Sequence, residues 1–197
     1  MFRGRTLLPV IGLLLLADVV HAHPQHGVNH ATGLAAGLAH PLLGIDHLLA
    51  MLAVGLLSAQ LAGRAVWVLP ASFVLAMIAG GAAGMSGWEP GVVEVGIAVS
   101  VALLGAAVAA GRHFPLVATT AAIALFGLVH GAAHGAEMPA LSTPALYAVG
   151  FVAATIALHV FGVVLGRLAL RTSTGALGLR LSGAAIGVVG LLLIAQM

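Results

Sequence analysis

Cysteine does not occur in the 197 residues, which excludes disulfides, thiolate metal sites, iron–sulfur clusters and any thiol nucleophile. Lysine does not occur either, so every fixed positive charge is one of seven arginines. Charged residues of both signs make up only 6% of the chain, whereas a soluble domain carries about 25%. With so few charges the sequence pI near 10.5 is a ratio of small numbers, and no dense basic face for nucleic acid can be assembled. No Gly-x4-Gly-Lys-Ser/Thr loop is present, so any nucleotide-driven step would need a partner protein. What the chain has instead is 61% hydrophobic residues, and ten histidines against five acids.

The apolar residues fall into runs. Residues 1–22 read as a cleavable signal peptide. Arg3 and Arg5 form its charged region, Leu7 to Ala17 its apolar region, and Val20-His21-Ala22 its cleavage site. The alternative is an uncleaved anchor, but Asp18 and His21 end the run too early for a span. Cleavage makes His23 the amino terminus, where its free amine and ring, with His26 and His30 close by, form a candidate capture site. Six apolar segments follow, at about residues 32–61, 65–85, 92–111, 115–136, 144–165 and 175–195. The linkers 62–64, 86–91, 112–114, 137–143 and 166–174 are too short for an aqueous domain. The expectation is an all-α fold: one polytopic helical bundle over 23–197 with six transmembrane helices.

Arg64, Arg112, Arg167 and Arg171 lie in the first, third and fifth linkers, with Arg180 just beyond, whereas Glu89 and Glu137 lie in the second and fourth. The positive-inside rule makes the arginine linkers cytoplasmic and both mature termini external. Three spans stand on each side of the central linker, and each trio opens with a histidine motif, a pattern suggesting inverted repeats. The glycine-rich runs at 80–84 and 183–190 read as small-residue faces where helices approach closely.

The first span contains His40-Pro41-Leu42-Leu43-Gly44-Ile45-Asp46-His47, then Met51. A carboxylate at this depth in hydrocarbon costs about 2.5–3.5 kcal/mol, and imidazole with carboxylate suits nickel, cobalt and zinc. On an unbroken helix His40 and His47 share a face with Gly44 and Met51. Asp46, rotated by about 100° from His47, ligates if the helix bends or else orients an imidazole. Pro41 is the expected source of a bend. The fourth span ends His130-Gly131-Ala132-Ala133-His134-Gly135-Ala136-Glu137, placing His130, His134 and Glu137 on one stripe. An i, i+4 histidine pair is a chelating geometry, here without the glutamate that follows the first histidine of a metalloprotease helix.

Lesser candidates complete the set. Glu94, in the first turn of the third span, is an outer ligand or a snorkelling carboxylate. His159 lies about 22 Å from the outer end of the fifth span, as an exit ligand or a satisfied core histidine. His113 reads as a solvated loop residue, and Met51, Met77, Met85 and Met138 as core filler with soft-ligand capacity. By depth, His23, His26, His30, Glu137 and Glu94 lie outermost, His40, His130 and His134 next, Asp46 and His47 near the midplane, and His159 beyond. Graded binding of this kind is what ion conduction requires.

The two motifs resemble those of the HupE/UreJ family of hydrogenase and urease accessory proteins, and the similarity extends over essentially the whole chain. The first motif is also similar to the His-x4-Asp-His helix of nickel/cobalt transporters, with one residue more in its spacing. The resemblance implies uptake of Ni2+, with Co2+ as a second substrate, across the inner membrane of a Gram-negative bacterium to supply nickel enzymes. It implies no organic cofactor and no enzymatic activity. The expected partners are a divalent metal ion and the lipid bilayer, not nucleic acid; a homo-oligomer and cytoplasmic nickel chaperones stay open. The membrane potential alone would contribute about 4.6 kcal/mol per 100 mV for a divalent cation, and proton coupling through His47 or His134 is the other option. Three readings compete with transport. An intramembrane metalloenzyme would want repeated Glu-x-x-His, which is absent. A rhomboid-like serine protease would rest on Gly84-Met85-Ser86-Gly87, which also reads as an ordinary turn. A membrane metal chaperone or sensor would bind without translocating.

Overall fold

A chain segment crossing hydrocarbon must satisfy its backbone polar groups within itself, so apolar runs of this length fold as helices. The computed structural model describes residues 33–88, 91–136 and 143–197. Residues 1–22, read above as a signal peptide, and His23, His26, His30, Glu89, Glu137 and Met138 lie outside the described residues. The described helices are α1 (Leu34–Leu43), α2 (Ile45–Leu61), α3 (Ala65–Met85), α4 (Val93–Ala110), α5 (Leu116–Ala136), α6 (Pro144–Ala169) and α7 (Ser173–Ala195). Each of α3 to α7 is long and apolar enough to cross a membrane, and α1 with α2, bent by 82° at the break, makes a sixth if the pair is one span.

The surface is turned inside out relative to a soluble protein. Leu103, Val117, Leu125, Val149, Phe161 and Leu191 all stand exposed on the bundle exterior, where hydrocarbon rather than water is their solvent. Trp67 is exposed in the first turn of α3, and Trp88 is exposed just past its end. The 21 residues of α3 span about 31 Å, so the two indoles sit one hydrocarbon thickness apart, as interfacial tryptophans do.

Two expectations need correction. The first span is not one helix kinked at Pro41. Pro41 is buried within α1, and the break falls at Gly44, whose backbone is extended (φ −83°, ψ 113°). His40 and His47 therefore do not share a face of one helix; they stand on either side of a corner. The fifth span also runs further than its hydropathy suggested, to Ala169, so Arg167 belongs to a helical turn and the loop shrinks to residues 170–172. An arginine at a helix C-terminus faces the negative end of the helix dipole and extends the helix past the apolar run.

Glycine decides which helices pair. A Cβ on Gly131 would collide with the carbonyl oxygen of Met77, and one on Gly80 with that of Leu128, so α3 and α5 meet backbone to backbone. In the same way Gly150 lies against Leu34 and Gly162 against Leu52, which locks α6 onto α1 and α2. Gly105 and Gly183 lock α4 onto α7. In the first two pairings residue numbers rise together along both helices, so those helices run parallel; in the third they run opposite. This is the parity that six successive crossings demand. Exchanging spans 1-2-3 with 4-5-6 converts the 1–5 pairing into 4–2 and leaves 3–6 unchanged, as an inverted repeat would.

At the end of the bundle carrying the arginine linkers, α4 stops at Gly111, whose φ of 59° lies in the left-handed region. Its last carbonyls receive side chains from two other helices. Gln60 Nε2 donates to Val108 O at 2.9 Å and Arg180 Nε donates to Ala109 O at 2.9 Å. These bonds satisfy orphan helix-end acceptors.

Candidate metal centre

Where the corner of the first span meets α5, four imidazoles come together. The ring centroid of His134 lies 4.7 Å from that of His40 and 4.4 Å from that of His47. His47 in turn lies 5.1 Å from His130, and 6.1 Å from His40 across the break. The local reasons are visible in each element. The break at Gly44 puts His40 on one arm and His47 on the first turn of the other, and helical periodicity stacks His130 under His134. Aromatic residues of α6 close the outer side, with Phe151 4.1 Å from His134 and Tyr147 5.9 Å from His40.

Two of these rings have their tautomer fixed by what they touch. His47 Nδ1 lies 2.6 Å from Asp46 Oδ1, which also accepts the His47 backbone N–H at 2.7 Å. A carboxylate can only accept here, so Nδ1 carries a proton, and in the neutral ring Nε2 is the atom with a free lone pair. His130 Nδ1 lies 2.9 Å from the carbonyl oxygen of Phe126, and the same argument leaves its Nε2 with a lone pair. Both Nε2 atoms are buried without a hydrogen-bond partner, as are both ring nitrogens of His134. Such orphaned groups cost about 1–3 kcal/mol each, which bonding to a cation would offset. Donation of the second ring nitrogen to a carboxylate or carbonyl is how metal-binding imidazoles are oriented. Of the two roles open to Asp46, the observed contact is the orienting one.

Among the described residues, no group of three His, Asp or Glu side chains is already set to hold a metal ion. The rings meet edge to face rather than aiming their nitrogens at one point, so gripping an ion requires them to turn about their side-chain bonds. The glycine at the corner sits tight against the site. A Cβ on Gly44 would lie 2.9 Å from His47 Nδ1 and 3.0 Å from Asp46 Oδ1.

The remaining candidates separate. His130 joins the cluster through His47, at 5.1 Å between ring centroids. His159 is buried with both ring nitrogens unpartnered, and its ring meets Phe73, 5.2 Å away, instead of the cluster. Glu94 is exposed on the first turn of α4 and makes no ion pair among the described residues. His113 is exposed in its loop, Met51 and Met77 are buried, and Met85 is exposed. Glu137, His23 and His26 are outside the described residues. Sequence reasoning passed over Phe73, Tyr147, Phe151 and Thr155, single residues in apolar runs with no local signature.

Comparison with known proteins bears on the whole chain. A family model described as HupE / UreJ protein matches residues 11–193. A protein named Protein HupE, from Rhizobium leguminosarum bv. viciae, is 40% identical over 180 residues, covering 91% of this chain and 92% of the relative. The chain belongs to the HupE/UreJ family. No solved structure matches it. The HupE/UreJ match takes in both arms of the broken span, the His130 and His134 stripe, Glu94 and His159, so the histidine cluster lies inside the shared region.

Proposed function

We propose that this HupE/UreJ protein is a permease for Ni2+, with Co2+ as the near alternative on the same donors. It would work in the bacterial inner membrane with both mature termini outside, feeding nickel enzymes such as hydrogenase or urease. The observation that carries the reading is the convergence of four imidazoles from two spans, several of their nitrogens buried and unpartnered. Imidazole nitrogen with a carboxylate behind it suits borderline divalent ions over Mg2+ or Ca2+, which prefer all-oxygen sites. Family membership points to nickel within that class, and the arginines at one end of the bundle support the orientation. The test is accumulation of 63Ni2+ by cells expressing the chain, with Co2+ and Zn2+ as competitors. Failure to accumulate any of the three sinks the proposal.

Two further outcomes follow. Asp46→Ala removes the acceptor that fixes the His47 tautomer, so Ni2+ affinity should fall about 10–100-fold while the bundle stays folded; equilibrium dialysis of the purified protein measures it. Ser86→Ala should leave uptake unchanged, since Ser86 Oγ only donates to Ala83 O at 2.6 Å in the turn that ends α3. A loss of function there would revive the serine-protease reading.

A further inference from the structure

Below the four-imidazole cluster the ring of Phe73 lies between two histidines, 5.4 Å from His130 and 5.2 Å from His159. Phe73 and His159 are 0% and 1% exposed. His159 has no hydrogen-bond partner at either ring nitrogen. A histidine kept only for packing would be expected to find one, as His130 does on the Phe126 carbonyl. One helical turn before it on α6, the Thr155 hydroxyl donates to Phe151 O at 2.9 Å and sits 3.8 Å from the sulfur of Met77. Tyr147, Phe151, Thr155 and His159 thus form one stripe at i, i+4 spacing, whose upper members touch the cluster and whose lowest is His159. Opposite it, a Cβ on Gly55 would strike the carbonyl oxygen of His159 and one on Gly127 that of Phe73, so the backbones of α2 and α5 close directly on this level.

We infer that His159 is a second, inner station for a borderline divalent cation, separated from the outer cluster by the Phe73 ring, with the Met77 thioether and Thr155 hydroxyl as weak donors on the way. This rests on the transport reading above and adds a second binding step to it. A site with one imidazole and no carboxylate near binds weakly, which suits release toward the cytoplasm. The series then runs from a crowded site to a sparse one, with an apolar ring preventing the two from merging.

The full-length chain reconstituted in proteoliposomes, with 63Ni2+ added outside, tests this. His159→Leu should keep Ni2+ binding within about twofold of wild type, because the outer cluster is intact, yet lower the initial uptake rate at least tenfold. His159→Cys, which restores a metal ligand to a chain with no other cysteine, should run at least fivefold faster than the near-isosteric His159→Ser. That pair also serves if His159→Leu does not fold. An uptake rate for His159→Leu equal to wild type, or equal rates for the Cys and Ser variants, overturns the inner station and leaves the permease standing. A wild-type chain that carries no Ni2+ overturns both.

Discussion

A chain carrying His47→Ala should accumulate no 63Ni2+ above the level of cells lacking the protein. The size of the effect follows from the position of the ring. His47 touches three other imidazoles, at centroid separations of 4.4, 5.1 and 6.1 Å, and is the one held by a carboxylate. Removing it deletes an Nε2 donor, leaves Asp46 as a part-buried acid without its partner, and parts His130 from the remaining rings. His134→Ala should be nearly as severe, since His134 meets both His40 and His47, but it leaves the oriented His47–Asp46 pair in place. Purified His47→Ala protein should elute as wild type does in detergent, because no backbone contact depends on this side chain. Uptake at even a tenth of the wild-type rate would mean that the ion does not pass through the cluster.

The second large effect concerns folding rather than transport. Gly131→Val should destabilise the bundle by about 3 kcal/mol or more, at the upper end of overpacking costs. The side chain would have to occupy the place of the Met77 carbonyl and the Gly81 backbone, and backbone cannot swing aside as a side chain does. The helices α3 and α5 would have to separate, taking Phe73 and Met77 away from His130. The control is Gly178→Ala in α7, where nothing lies within 4 Å of the added methyl. That variant should be neutral or stabilised by about 1 kcal/mol, the usual advantage of alanine in a helix. Thermal unfolding in detergent, compared for the two variants, checks both. Equal stability of Gly131→Val and wild type would contradict the close approach.

The all-helical course of the apolar runs was legible in the sequence because hydrocarbon imposes length and apolarity on every crossing, and glycine runs at 80–84 and 183–190 mark close approaches that the structure contains. The candidate site residues also stood out along the chain, since a histidine amid leucines is conspicuous. Their convergence did not. Which helix packs on which is set by surface complementarity among glycine faces, and nothing in the His130 motif says that its partner is the first span. The break also misled. Proline is the visible helix disruptor, yet Pro41 is accommodated in α1, while Gly44 adopts a backbone open to any residue and owes its small size to the nearness of Asp46 and His47. A constraint of contact rather than of conformation leaves no mark on local sequence. The extension of α6 past residue 165 was hidden because hydropathy ends where the membrane does, whereas hydrogen bonding continues to Ala169.

The glycine locks have a mechanical corollary. Backbone is zipped to backbone within the α1, α2 and α6 set, and again within the α3 and α5 set. His40 and His47 ride on the first set, His130 and His134 on the second, and side chains alone meet where these rings face one another. The seam through the candidate metal centre is therefore one that no glycine lock crosses. Two stiff jaws hinged there could widen or narrow the grip on a cation by rocking, with every glycine seam left shut.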